Sequence, residues 1–238
     1  MTVPRRFKVP SAISASVAVL ASRDDLVRAA KLRRPPDAFE LRLDALHGLV
    51  SPDDARIREL AAPLIITARH PREGGFGHLR EPMRRDLLLR YLPLASYVDV
   101  ELRSAEAMST VWESAKARGL RRIISVHAIK HAPPVEKLRA SLAAAGGFGP
   151  DIFKIAVRTD TVAQLERLIQ FFEGEKHRLP ISAMGIGLLG RRSRIELARR
   201  GSALNYAHLG SATAEGQLSL RDLHRVMGPQ VAPSSRRA

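Results

Sequence analysis

Eight short apolar runs recur along the chain: SVAVLA, FELRLD, LIITAR, YVDVEL, IISVHA, IFKIAV, ISAMGI and ALNYAHL. Longer segments lie between them, among them SRDDLVRAAKLRR, SPDDARIRELAA, EPMRRDLLLRYLPLA, SAEAMSTVWESAKARG, PPVEKLRASLAAAG, TVAQLERLIQFFEGE and RRSRIELARRG. The short runs predict strands, and the i, i+3, i+4 spacing of apolar residues in the longer segments predicts helices. Ser, Thr or Pro-Asp signals open several of the helical segments. Strict alternation of the two kinds implies parallel strands joined by crossover helices. Eight repeats predict an α/β chain folded as a single (β/α)8 TIM barrel with eight parallel strands, over residues 1–228, and a polar tail over 229–238. An open doubly wound sheet is the alternative. It lacks support from a glycine-rich fingerprint after the first run.

Side chains alternate between the two faces of a strand. Phe39, Leu41 and Leu43 therefore share one face, and Glu40, Arg42 and Asp44 the other. The same sorting sets Ile66 and Ala68 against Thr67 and Arg69, and Val98, Val100 and Leu102 against Asp99 and Glu101. It sets Ile124 and Val126 against Ser125 and His127, and Phe153, Ile155 and Val157 against Ile152, Lys154 and Ala156. A parallel barrel has no solvated sheet face, so the polar face points into the interior, towards the end where such barrels carry their sites.

Glu40, Arg42, Asp99 and Glu101 fit either a pocket lining or a buried ion-pair network. Asp44 fits either a pocket lining or a cap at the strand's end. His127, taken alone, reads as a satisfied core histidine. Lys154 reads differently. A buried lysine tends to lose its proton through desolvation, and a neutral amine is the nucleophile that a Schiff base requires. The residues alone thus favour a Schiff-base lysine at 154.

Composition narrows the classes. No cysteine occurs, so disulfides, thiolate nucleophiles and cysteine-ligated metals are excluded. Apolar residues make up 45%, which suits a globular core. The formal net charge is +15, with a pI near 11.2. Such a charge raises nucleic-acid binding as a possibility, but the arginines are scattered and aromatics are only 5%, too few for stacking platforms. A general field attracting small anions is the expectation, without a specific nucleic-acid partner. No apolar run reaches the length of a membrane span. The first 23 residues contain no acid and read as a basic tail leading into the first strand, so a cytoplasmic location is expected.

Several motifs, in order, resemble the type I 3-dehydroquinate dehydratases. They are ELRLD, TARHPREGG, ISVH, IFKIAV, MGIGLLGRRSR and GSATAEGQLSLRDL, covering about Phe39 to Leu223. The resemblance implies a cofactor-independent and metal-independent lyase that converts 3-dehydroquinate to 3-dehydroshikimate and water in the shikimate pathway. It implies that Lys154 forms the imine, that His127 is the general base and acid, and that Glu73 orients the histidine. Arg194 would hold the substrate carboxylate, although by itself it reads as a surface arginine at a helix start. Glu40, Arg42 and Arg69 would line the pocket near the ring hydroxyls, and Thr213 and Gln217 would lie on a closing loop. A homodimer and a monofunctional chain are further expectations. Departures are Ala128, where the family usually has an acidic or amide side chain beside the histidine, Thr213 for serine, and Ile186 where a methionine is expected. Another Schiff-base barrel of aldolase type and a basic nucleic-acid-binding protein are the competing readings.

Overall fold

A computed structural model describes residues 14–228. The basic leader and the 229–238 tail read from the sequence lie outside the described residues. The strands are β1 (Ala15–Leu20), β2 (Ala38–Arg42), β3 (Leu64–Thr67), β4 (Tyr97–Glu101), β5 (Arg121–Ala128), β6 (Ile152–Arg158), β7 (Ile181–Ile186), β8 (Leu204–His208) and β9 (Leu218–Ser219). The helices are α1 (Arg23–Ala30), α2 (Leu43–Leu46), α3 (Ala55–Arg58), α4 (Glu81–Tyr91), α5 (Ser109–Ala117), α6 (Val135–Gly146), α7 (Val162–Glu175), α8 (Gly190–Arg199) and α9 (Leu220–Met227). Local chemistry starts several of them. Thr161 and Gln164 form a capping box on α7, and the Ser22 hydroxyl accepts the Asp25 N–H on α1.

All strand pairings are parallel, in the order β7-β6-β5-β4-β3-β2-β1-β8-β9. Nine strands therefore replace the eight expected, because the chain after β8 turns back and adds a two-residue strand to it. No ladder joins β7 to β8 among the described pairings. At that seam Ala203 N–H donates to Ile181 O at 2.8 Å, Ser182 Oγ donates to Leu204 O at 2.7 Å, and Ala183 N–H donates to Ser202 Oγ at 3.1 Å.

The two faces sort as period two requires. Phe39, Leu41, Ile66, Val98, Val100, Ile124, Phe153 and Ile155 join the layer packed under the helices. A second apolar cluster, including Ala15, Val17, Ala38, Ile65, Tyr97, Ile123, Ile152 and Leu204, fills the inside towards the strands' N-terminal ends. Beyond it, towards the C-terminal ends, the same face carries Glu40, Asp99, Ser125 and Lys154, all buried. The inside thus grades from an apolar plug to a polar floor, and the floor is where a site can be built.

Candidate active site

The geometry centres on Lys154 at the middle of β6, 3% exposed. Its Nζ donates to Glu40 Oε1 and to Asp99 Oδ2, each at 2.9 Å, and lies 3.9 Å from the centre of the Tyr206 ring. Phe153, Ile155 and Val157 of the same strand face outwards under the helices, and the amine on the inner face meets two carboxylates and an aromatic face. Glu40 is itself fixed by the Thr67 hydroxyl at 3.0 Å.

Asp99 is braced by Arg69, which donates to Oδ2 at 2.8 Å and to Oδ1 at 3.3 Å, and by Ser125 Oγ at 2.6 Å. Burial pushes the Asp99 carboxyl up, but Arg69 and Lys154 outweigh it and hold the group ionised far below the usual range. Arg69 also reaches Glu101 at 3.1 Å, and Glu101 accepts from Arg84 on α4 as well. Arg42 forks onto Asp44 at 3.0 and 2.8 Å and donates to Gly74 O at 3.2 Å. Asp44 lies past the end of β2, in α2, where it accepts the Arg69 and Phe76 N–H groups. Burial raises its pKa, and Arg42 with those N–H donors lowers it further than burial lifts it. The two readings of the inward charges therefore coincide: the ion-pair network is also the mount of the lysine.

His127 comes from the C-terminal end of β5. Glu73 Oε2 accepts its backbone N–H at 2.9 Å and lies 3.1 Å from its Nδ1. The first contact ties Glu73 to the strand, and the second orients the ring. Burial, then the charges of Arg69 and Lys154, keep the imidazole pKa well below its ordinary value, so the ring is neutral at neutral pH. Burial and the Glu101 charge push the Glu73 carboxyl up to about 7, against the pull of Arg69 and the His127 N–H. Near neutrality Glu73 is thus poised to accept from Nδ1–H or to donate to Nδ1, which sets Nε2 as base or as donor. The turn that delivers Glu73 needs its glycines. Gly74 has φ +85°, and a Cβ on Gly75 would meet Arg69 O at 2.2 Å.

Arg194 is buried in α8, not on the surface that its RRSR context alone implies. Its Nε has no hydrogen-bond partner, and no ion pair to it occurs among the described residues. Its Nη1 has one long contact, 3.5 Å, to Tyr206 O. Burial lowers its pKa to about 10, which leaves it charged at neutral pH. A buried cation without a counter-ion fits an anion supplied from outside. From the loop between β8 and β9, Thr213 N–H and Oγ1 bond to Gln217 Oε1 at 2.8 and 3.1 Å.

One cavity of about 320 Å³ is bordered by Lys154, His127, Glu73, Glu40, Arg42, Arg69, Arg194, Thr213 and Gln217 together, so the structure brings all nine sequence-chosen residues to one place. Sequence reading missed Tyr206 and Arg158, which also border it. Alternation along ALNYAHL puts Tyr206 on the inward face, a signal that was present. Arg84 was missed too, though 84, 87, 88 and 91 form the buried stripe of α4. No grouping of three or more side chains able to hold a metal ion occurs among the described residues.

A family model described as Type I 3-dehydroquinase matches residues 13–229. The 3-dehydroquinate dehydratase of Methanothermobacter thermautotrophicus is 34% identical over 81% of this chain and 84% of its own. That of Thermococcus gammatolerans is 33% identical over 88% of this chain and 95% of its own. The crystal structure of the 3-dehydroquinate dehydratase from Geobacillus kaustophilus superposes with a TM-score of 0.80 at 27% identity, over 90% of this chain and 89% of that one. The fold is shared as well with a type I enzyme from Clostridium difficile, at a TM-score of 0.81, 23% identity and 95% of each chain. The chain belongs to the type I 3-dehydroquinate dehydratase family, whose members are hydro-lyases.

Proposed function

We propose that Lys154 dehydrates 3-dehydroquinate through an imine, with His127 moving the protons. The observation that carries this reading is a buried amine, a neutral histidine and an uncompensated buried guanidinium around one cavity. The amine sheds a proton, for which Glu40 and Asp99 are the carboxylates in contact, and attacks the C3 ketone. Loss of water from that adduct leaves an iminium, which acidifies the neighbouring C–H. His127 Nε2 removes a C2 proton, giving an enamine. The enamine electrons return as the C1 hydroxyl leaves, and His127 donates the proton that makes it water. Hydrolysis of the imine frees the ketone and the lysine, so the net change is loss of one water. Arg194 takes the substrate carboxylate with its planar fork. Glu40, Arg42 and Arg69 face the ring hydroxyls, and Thr213 and Gln217 cover the ring from the loop. The residues present suffice for each step without a cofactor.

The same reading takes the β7–β8 seam as the closure of an eight-stranded barrel to which β9 is an addition, and the enzyme as a cytoplasmic homodimer. The seam hydrogen bonds support closure and family kinship supports the rest; sedimentation checks the dimer. For the chemistry, adding 3-dehydroquinate should raise the ultraviolet absorbance of a conjugated enone. Borohydride with substrate should leave a mass adduct on Lys154, and Lys154→Ala should lower kcat by more than ~1,000-fold. Turnover without any adduct on Lys154 would refute the imine.

A further inference from the structure

Arg158 ends β6, four residues beyond Lys154 on the same face, and borders the cavity. Its Nη1 donates to Glu215 Oε2 at 2.7 Å and its Nε to Asp160 Oδ2 at 2.5 Å. Asp160 is pinned in turn: its Oδ1 accepts the Leu188 N–H at 2.9 Å, and its own N–H donates to Gln164 Oε1 at 2.6 Å. Arg158 is therefore braced by the segments that follow β6 and β7. Glu215 sits between Thr213 and Gln217 in the loop from β8 to β9. That loop bonds mostly to itself through Gln217 and rests on the start of α8 by close backbone contact. A Cβ on Gly190 would meet Glu215 O at 2.8 Å, and a Cβ on Gly216 would meet Arg191 N at 2.5 Å.

We propose that Arg158 is a positioning residue that latches this loop over the cavity through Glu215, holding Thr213 and Gln217 in place before substrate arrives. The proposal rests on the dehydratase reading for its kinetic consequences only. Ordering the loop in advance spares that ordering on binding. Both partners keep contact with water, so the latch is weak, screened by salt and able to open for ligand passage. Its loss is worth roughly two- to five-fold, the usual reach of an exposed ion pair.

The test is amide hydrogen exchange of residues 210–217 in the substrate-free protein, for wild type, Arg158→Gln, Glu215→Gln, the double variant and Arg158→Lys. Each glutamine variant should exchange these amides roughly two- to five-fold faster, and the double variant no faster than either single one. Arg158→Lys should keep most of the protection at low salt, and high salt should bring wild type towards the variants. With 3-dehydroquinate, KM should rise by a similar factor while kcat holds, and the thermal midpoint should stay put. Unchanged exchange in both single variants, or losses that add fully in the double variant, would overturn the latch. A wild-type protein that does not turn over 3-dehydroquinate would remove the functional reading instead, and the exchange measurement would still decide the latch.

Discussion

Glu73 and Arg194 are held in uncomfortable states, and each discomfort has a measurable signature. The Glu73 carboxyl lies near 7 because burial and Glu101 disfavour its charge. Only ionised Glu73 accepts Nδ1–H and leaves Nε2 free as a base, so kcat/KM should rise as pH passes through about 7. Glu73→Gln should remove that limb and lower the rate by roughly 100-fold. Stability should run the other way. An acid whose folded pKa is raised binds more protons folded than unfolded, so ionisation between 4.5 and about 7 works against folding. Wild type should lose at most ~3 kcal/mol relative to Glu73→Gln as pH rises through that window. Denaturant titrations at pH 4.5 and 8 read the difference directly. Arg194 is a buried cation without a carboxylate, a costly arrangement in the empty protein. Arg194→Met should therefore gain ~1–3 kcal/mol of stability while KM rises by roughly 10- to 100-fold. A variant with unchanged KM would show that Arg194 does not meet the substrate. Lys154 was legible from sequence because alternation within one strand placed it inside. Arg194 was legible only through the motif it shares with the family; its burial was not, because that comes from tertiary packing of α8 that the local RRSR pattern does not express.

At the level of elements, the loop after β3 determines whether the histidine has its partner. Glu73 reaches β5 only because the chain doubles back over Arg69, so tightly that a Cβ on Gly75 would meet the Arg69 carbonyl oxygen at 2.2 Å and no side chain fits. Gly75→Ala should displace Glu73, lowering kcat about as much as Glu73→Gln does, and should leave the binding of an anionic substrate analogue to Arg194 intact. Calorimetry of analogue binding beside turnover separates the two; lost binding together with lost turnover would mean a wider collapse. The same scale shows what patterning can and cannot give. All eight main strands were legible, since a parallel sheet packed on both faces demands strong apolar runs. FELRLD ended early at Arg42 because Asp44 accepts two loop N–H groups and starts a short helix. SPDDARIRELAA kept only Ala55–Arg58 helical. Helix α9 was absorbed into the closing motif, although Ser219 accepts the Asp222 N–H at its start. The four-residue helices α2 and α3 carry too few residues for a period to register, whereas α9 carries Leu220, Leu223 and Met227 at helical spacing, a signal that was present.

For the whole molecule, the 39 basic side chains behind the net charge of +15 have two distinct physical destinations. Inside, Arg69, Arg84 and Lys154 are matched to Glu101, Asp99 and Glu40 at hydrogen-bond range, shielded from solvent ions. Outside, most arginines are exposed and their sum acts at a distance. Salt separates these populations, because it screens the outer field over a Debye length and barely reaches the inner network. An anionic substrate approaching this surface is steered by the field, so kcat/KM should fall several-fold from low to physiological ionic strength while kcat stays level. The thermal midpoint, dominated by the core and the buried network, should move little over the same range. Opening of the Arg158–Glu215 latch also raises KM with salt, so the slope should be measured in Arg158→Gln as well. A slope that persists there belongs to steering, whereas one that vanishes belongs to the loop. Duplex DNA offered under the same conditions gives the remaining contrast. Binding that disappears at moderate salt with no sequence preference reports the field alone, whereas binding that survives physiological salt would require a surface built to hold a polyanion.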